Sequence, residues 1–149
     1  MIFLVGRFPS TWGGLPVCPG TYTFFQEAVR SKQNVCELGM GSALSSLVFL
    51  QYSDATVYEY DLGDEKKLAV AAFMHSLFGK DRLRLRWGDI STTVPNNAPK
   101  CDLVYLDAMH PLDVVLSVQY LSTETIEWLY HSGGSGDVKA RQFFLRVWK

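Results

Sequence analysis

Val35-Cys36-Glu37-Leu38-Gly39-Met40-Gly41-Ser42-Ala43 runs from a short apolar stretch through an acid into a pair of glycines. An apolar run closed by glycine reads as a buried strand, and Ser42 as a residue that can begin the helix that follows. Gly39 and Gly41 lack the β-carbons that would hold a ligand away from the backbone. The first amides of a helix have no internal partner, so the turn suits a nucleotide-like ligand. Two residues before Gly39, the charge of Glu37 repels a pyrophosphate and favours an ammonium or sulfonium. Leu44 occupies the position at which a dinucleotide fingerprint wants a third small residue. Charge and bulk therefore both disfavour a nicotinamide dinucleotide.

Further acids recur at the intervals of a doubly wound sheet. Ala55 to Asp61 is β-branched and aromatic, and Asp61 lies 22 positions after Gly39, close to the ~20 expected of a ribose-binding acid. Its carboxylate can accept both ribose hydroxyl protons. Glu59, two positions earlier on the same side of the strand, is the competing candidate. From Asp64 to Phe78 the residues Val70, Phe73, Met74, Leu77 and Phe78 keep helical spacing, which predicts a buried face, with Gly79 ending the helix. His75 is off that stripe and reads as solvent-facing or locally bonded. Arg82 to Trp87 alternates polar and apolar, as an edge strand does, and leads into Gly88-Asp89-Ile90. A Pro/Asn-rich stretch from Val94 to Lys100 reads as a loop before a fourth strand, Cys101 to Asp107. In an open parallel sheet the strand-end acids Glu37, Asp61, Asp89 and Asp107 would face one crevice.

Glu-Leu-Gly-Met-Gly-Ser resembles the first motif of class I S-adenosylmethionine-dependent methyltransferases. Leu-Asp-Ala-Met-His-Pro, at 106–111, resembles the fourth motif of small-molecule O-methyltransferase-like proteins. The likeness spans roughly Asn34 to Pro111. It implies a Rossmann-like α/β fold, a doubly wound and mostly parallel sheet in three α/β/α layers, with S-adenosylmethionine as cofactor. By the same resemblance Glu37, Gly39, Gly41, Ser42, Asp61, Leu62, Asp89, Ile90 and Asp107 would hold the cofactor. Asp89 and the Ile90 amide would meet the adenine. Asp107 and His110 would be catalytic, the aspartate near the sulfonium and the histidine as a base of near-neutral pKa. The further ligands that metal-dependent relatives draw from the fifth-strand region are not found, so no metal is assigned.

With 149 residues, 48% of them hydrophobic, the chain can bury a sizeable core as one domain. It divides into an N-terminal loop and helix (1–33), a cofactor-binding core (34–111) and a short C-terminal part (112–149). A net charge of −1 argues against an extended nucleic-acid surface, and no apolar run approaches the ~18 residues of a membrane span. Cys18, Cys36 and Cys101, odd in number and widely spaced, read as reduced thiols of a cytoplasmic protein. Thr23-Phe24-Phe25-Gln26 reads as a capping box opening a helix towards Ser31. Beyond Pro111, Leu112 to Val118 is open to helix or strand. Thr125 to His131 and Arg141 to Trp148 can pair as a terminal antiparallel hairpin. Fewer than seven strands are expected, because too few residues remain for a fifth strand with both flanking helices. A homodimer or another partner could complete the sheet. The expected activity is methyl transfer to a small molecule, at oxygen; the alternative is a non-catalytic domain that binds S-adenosylmethionine or a protein partner.

Overall fold

The computed structural model describes residues 19–97, 99–106, 120–130 and 143–148. Its strands are β1 (Asn34–Leu38), β2 (Thr56–Asp61), β3 (Leu83–Trp87), β4 (Cys101–Leu106), β5 (Ser122–Tyr130) and β6 (Phe143–Trp148). They form one sheet in the order β3-β2-β1-β4-β5-β6. The first five are mutually parallel, and β6 runs antiparallel to β5. The order reverses between β1 and β4, the position beside which open α/β sheets hold ligands. A fifth strand is thus present despite the short C-terminal part, and the expected antiparallel pairing closes that edge. Among the described residues the strands number six, in keeping with fewer than seven.

Among the described residues the α-helices are α1 (Pro19–Val29), α2 (Leu44–Tyr52), α3 (Glu65–Phe78) and α4 (Ile90–Asn97). Alternation along the strands sends Val35, Val57 and Leu103 into a core shared with α1, α2 and α3. Cys36, Leu38, Tyr60 and Val104 point to the opposite face, under Val94 of α4. Three layers result, as expected for this class. Buried on nearly every side, α2 lies between the sheet and α1, where Phe25, Phe49 and Tyr105 meet edge to face. Near the other end of that layer, Arg82 donates to the carbonyls of Leu50, Ser53 and Ala55 and so ties β3 to the turn between α2 and β2.

Several local expectations shift. Proline opens α1 at Pro19, four residues ahead of Thr23, consistent with its preset φ at a helix start. Asp64 caps α3 by accepting from the Lys67 amide. Phe73 and Leu77 of the anticipated buried stripe are exposed, however, because the sheet is reached mainly by Ala71 and Met74. His75 is locally bonded, its Nε2 lying 2.9 Å from the Leu83 carbonyl. The stretch read as a loop from Val94 instead carries the last turn of α4, with Pro95 inside it. Asn96 donates to the Thr92 carbonyl there, and the Tyr60 hydroxyl to that of Asn97. Cys36 and Cys101, expected as separate thiols, form a disulfide between the neighbouring strands β1 and β4. Sixty-five residues separate them in the chain, and only the strand order brings them together. Cys18, Asp107, His110 and Leu112 to Val118 lie outside the described residues.

Candidate functional site

The glycine turn is built as its sequence requires. Gly39 and Gly41 adopt φ of 97° and 49°, and the Gly39 amide donates to the Tyr60 carbonyl at 2.8 Å, locking the end of β1 to β2. The turn closes through Ala43, also left-handed at φ 59°, whose amide donates to the Met40 carbonyl. Consequently α2 starts at Leu44, later than Ser42, and Ala43 at its cap position supplies no side-chain acceptor.

Asp61 is brought directly beside this turn. Its Oδ2 accepts from the Met40 amide at 2.9 Å and its Oδ1 from the Gly63 amide at 2.7 Å. From α3 the Lys67 ammonium reaches both oxygens, at 2.7 and 2.8 Å. Desolvation by itself would raise the Asp61 carboxyl; Lys67 and the two amides outweigh it and hold the group below its ordinary value. Leu62, the next residue, is 75% exposed. Gly63 then turns the chain at φ 79°, and a β-carbon there would stand 2.9 Å from Trp87 Cε3.

Glu37 and Glu59 sit elsewhere. They are paired in register on β1 and β2, fully buried beneath α2, and held by its serines. Ser45 bonds Glu37 Oε1, while the Ser46 hydroxyl lies 2.6 Å from Glu37 Oε2 and 2.5 Å from Glu59 Oε2. A hydroxyl donates one proton. The second of Ser46's contacts therefore needs a proton on one of the two carboxyls. Burial, then the neighbouring Glu37 charge, pushes the Glu59 carboxyl well above its usual range, with Ser46 opposing. The pair is thus built to share a proton, and Glu37 acts on the glycine turn through α2 instead of facing the rim.

Asp89 stands at the N-terminus of α4, where its Oδ1 accepts from the Ser91 amide and hydroxyl at 2.8 and 2.6 Å. Ile90 is the first helical residue. The structure thus gathers Gly39, Gly41, Ser42, Asp61 and Leu62 around one turn, sets Asp89 and Ile90 at the end of the adjacent β3, and places Glu37 beneath them. Sequence reasoning missed Lys67 and the two serines. The serines had left a trace, as two polar residues in the otherwise apolar run Leu44–Phe49; Lys67 had left none. Among the described residues, no group of three or more His, Cys, Asp or Glu side chains could hold a metal ion, and no helix is long and apolar enough to cross a membrane.

No family profile and no curated protein matches the sequence. Solved structures do match the fold. The SAH-bound methyltransferase PaMTH1 of Podospora anserina superposes with a TM-score of 0.67 at 18% identity, covering 85% of this chain and 57% of its own. The O-methyltransferase TomG of Streptomyces achromogenes, in complex with SAM, gives 0.65 at 13% identity, covering 77% and 56%. This chain has the class I methyltransferase fold. A third such protein, the SAM-dependent methyltransferase of Thiobacillus denitrificans bound to S-adenosyl-L-homocysteine, gives 0.64 at 17% identity, with 79% and 50% covered. The chain therefore spans little more than half the length of these methyltransferases, and at such identities the likeness is one of fold.

Proposed function

We propose that this methyltransferase-fold chain transfers the methyl group of S-adenosylmethionine to an oxygen of a small-molecule acceptor. The observation that carries the proposal is the bond from the Met40 amide to Asp61, which sets an acceptor-only carboxylate against a glycine turn at the end of β2. That acceptor fits a nucleoside whose free vicinal diol would donate to it. Gly39 and Gly41 would let the ligand approach the backbone, and Asp61 would take the ribose hydroxyls. Leu62 would cover one side, with Asp89 and the Ile90 amide meeting the base. Glu37, through Ser45 and Ser46, keeps α2 and the turn in place. When bound, the cofactor supplies a methyl group activated on a sulfonium. Asp107 and His110 are assigned to the reacting end, the first to stabilise positive charge and the second to take the acceptor's proton. Alignment of acceptor and methyl with water excluded supplies much of the rate in such transfers.

Asp61 is already bonded to the chain's own amides and ammonium, and this favours a second reading, a domain that binds without turnover. Calorimetry with S-adenosylmethionine, S-adenosylhomocysteine and NAD decides the ligand class. Both sulfur ligands should bind, with a loss on Asp61→Ala of about 1.5 kcal/mol or more for the hydrogen bonds removed; binding of NAD alone would reject the proposal. Methyl release measured against phenols, carboxylates and amines then separates enzyme from binder, and turnover confined to amines would reject oxygen as the acceptor.

A further inference from the structure

The Asp61 carboxylate has no acceptor position left over. Two oxygens offer roughly four lone-pair sites, and the Met40 amide, the Gly63 amide and the two contacts of Lys67 take all of them. The two amides belong to tight turns and cannot withdraw without dismantling them. Lys67 can. Its ammonium sits at the end of a four-carbon stem, and its side chain is 27% exposed against 6% for Asp61.

We infer that Lys67 limits the affinity of the nucleoside site as an internal competitor, its ammonium occupying the two carboxylate oxygens that a vicinal diol needs. The inference rests on the assignment of Asp61 to the ribose under the proposed function. In the free protein Lys67 neutralises a carboxylate that burial would otherwise penalise. Ligand entry turns it out towards solvent. A ligand with both hydroxyls replaces both contacts of the ammonium, whereas one with a single hydroxyl leaves a carboxylate oxygen without its donor. Lys67 thereby lowers the affinity for every nucleoside by the cost of displacing the ammonium.

The test uses the full chain as wild type, Lys67→Met and Lys67→Arg, with S-adenosylhomocysteine, adenosine and 2′-deoxyadenosine as probes in calorimetry. Thermal melts confirm that each variant is folded. Lys67→Met should bind S-adenosylhomocysteine about fivefold more tightly, the upper scale of one partly exposed ion pair. Adenosine and 2′-deoxyadenosine should gain by the same factor, since both displace the same ammonium. Lys67→Arg keeps a cation with two donors and should stay near wild type. Independently of any ligand, carbon-13 NMR of the Asp61 carboxyl should show its titration moving upward in Lys67→Met. Equal or weaker binding of S-adenosylhomocysteine by Lys67→Met overturns this inference alone, as does an unmoved Asp61 titration. Failure of all three proteins to bind S-adenosylhomocysteine overturns the cofactor assignment and this inference with it.

Discussion

Glu59 and Glu37 are the residues at which chemistry and stability meet most directly. A carboxyl whose pKa is raised by folding binds its proton more tightly in the native state. Stability is therefore full below the ordinary carboxylate range and falls as pH rises through the raised value. Glu59→Gln replaces the shared proton with an amide donor of the same shape. Urea denaturation should show it losing less stability than wild type as pH rises above the ordinary carboxylate range. The opposite sign holds at Asp61, whose lowered pKa adds stability above its ordinary value and loses it as pH falls through the lowered one. Gly63→Ala should cost roughly 2 kcal/mol, from left-handed strain and from contact with Trp87, and should weaken nucleoside binding because the Gly63 amide is a donor to Asp61. Equilibrium unfolding and calorimetry on that variant check both effects.

Elements here are held in place by side chains from other elements. Arg82 opens the polar and apolar alternation that predicts an edge strand, and β3 is indeed the edge. Its guanidinium nevertheless turns inward to three carbonyls around the end of α2. Arg82→Ala should destabilise by about 2 kcal/mol in denaturant unfolding, since those carbonyls lose a charged donor. Asp89→Ala should cost about 1 kcal/mol through loss of the α4 cap. If Asp89 also meets the adenine, the same variant should weaken S-adenosylhomocysteine further in calorimetry than its stability loss explains. The α3 boundaries were legible because capping and helical period are local signals. The helical turn over Val94 to Asn97 was not, because its Pro and Asn content suggested a loop while the packing of Val94 on the sheet decided otherwise.

At the scale of the whole molecule, the parallel run of β1, β2 and β3 puts the glycine turn, the end of β2 and the end of β3 at one rim of the sheet, next to the reversal between β1 and β4. A ligand there contacts three strand ends at once and should stabilise the domain as a unit. S-adenosylhomocysteine at a hundredfold its Kd should raise the unfolding free energy by about 2.7 kcal/mol. Scanning calorimetry would show this as an upward shift of a single transition, and no shift would argue against a ligand seated across those strands.

The amino-acid order alone settled the strands, the capped α3, the glycine turn and the alternation that assigns residues to the two faces of the sheet. Backbone dihedral preference and hydrophobic period are properties of neighbouring residues. Only tertiary packing decided which acids meet the rim and which lie under α2, that Lys67 closes on Asp61, and that Cys36 reaches Cys101. Those partners belong to different elements, from six positions apart for Asp61 and Lys67 to 65 for the two cysteines, and the electrostatics and hydrogen bonding of a buried group are set by whatever the fold brings within a few ångströms of it.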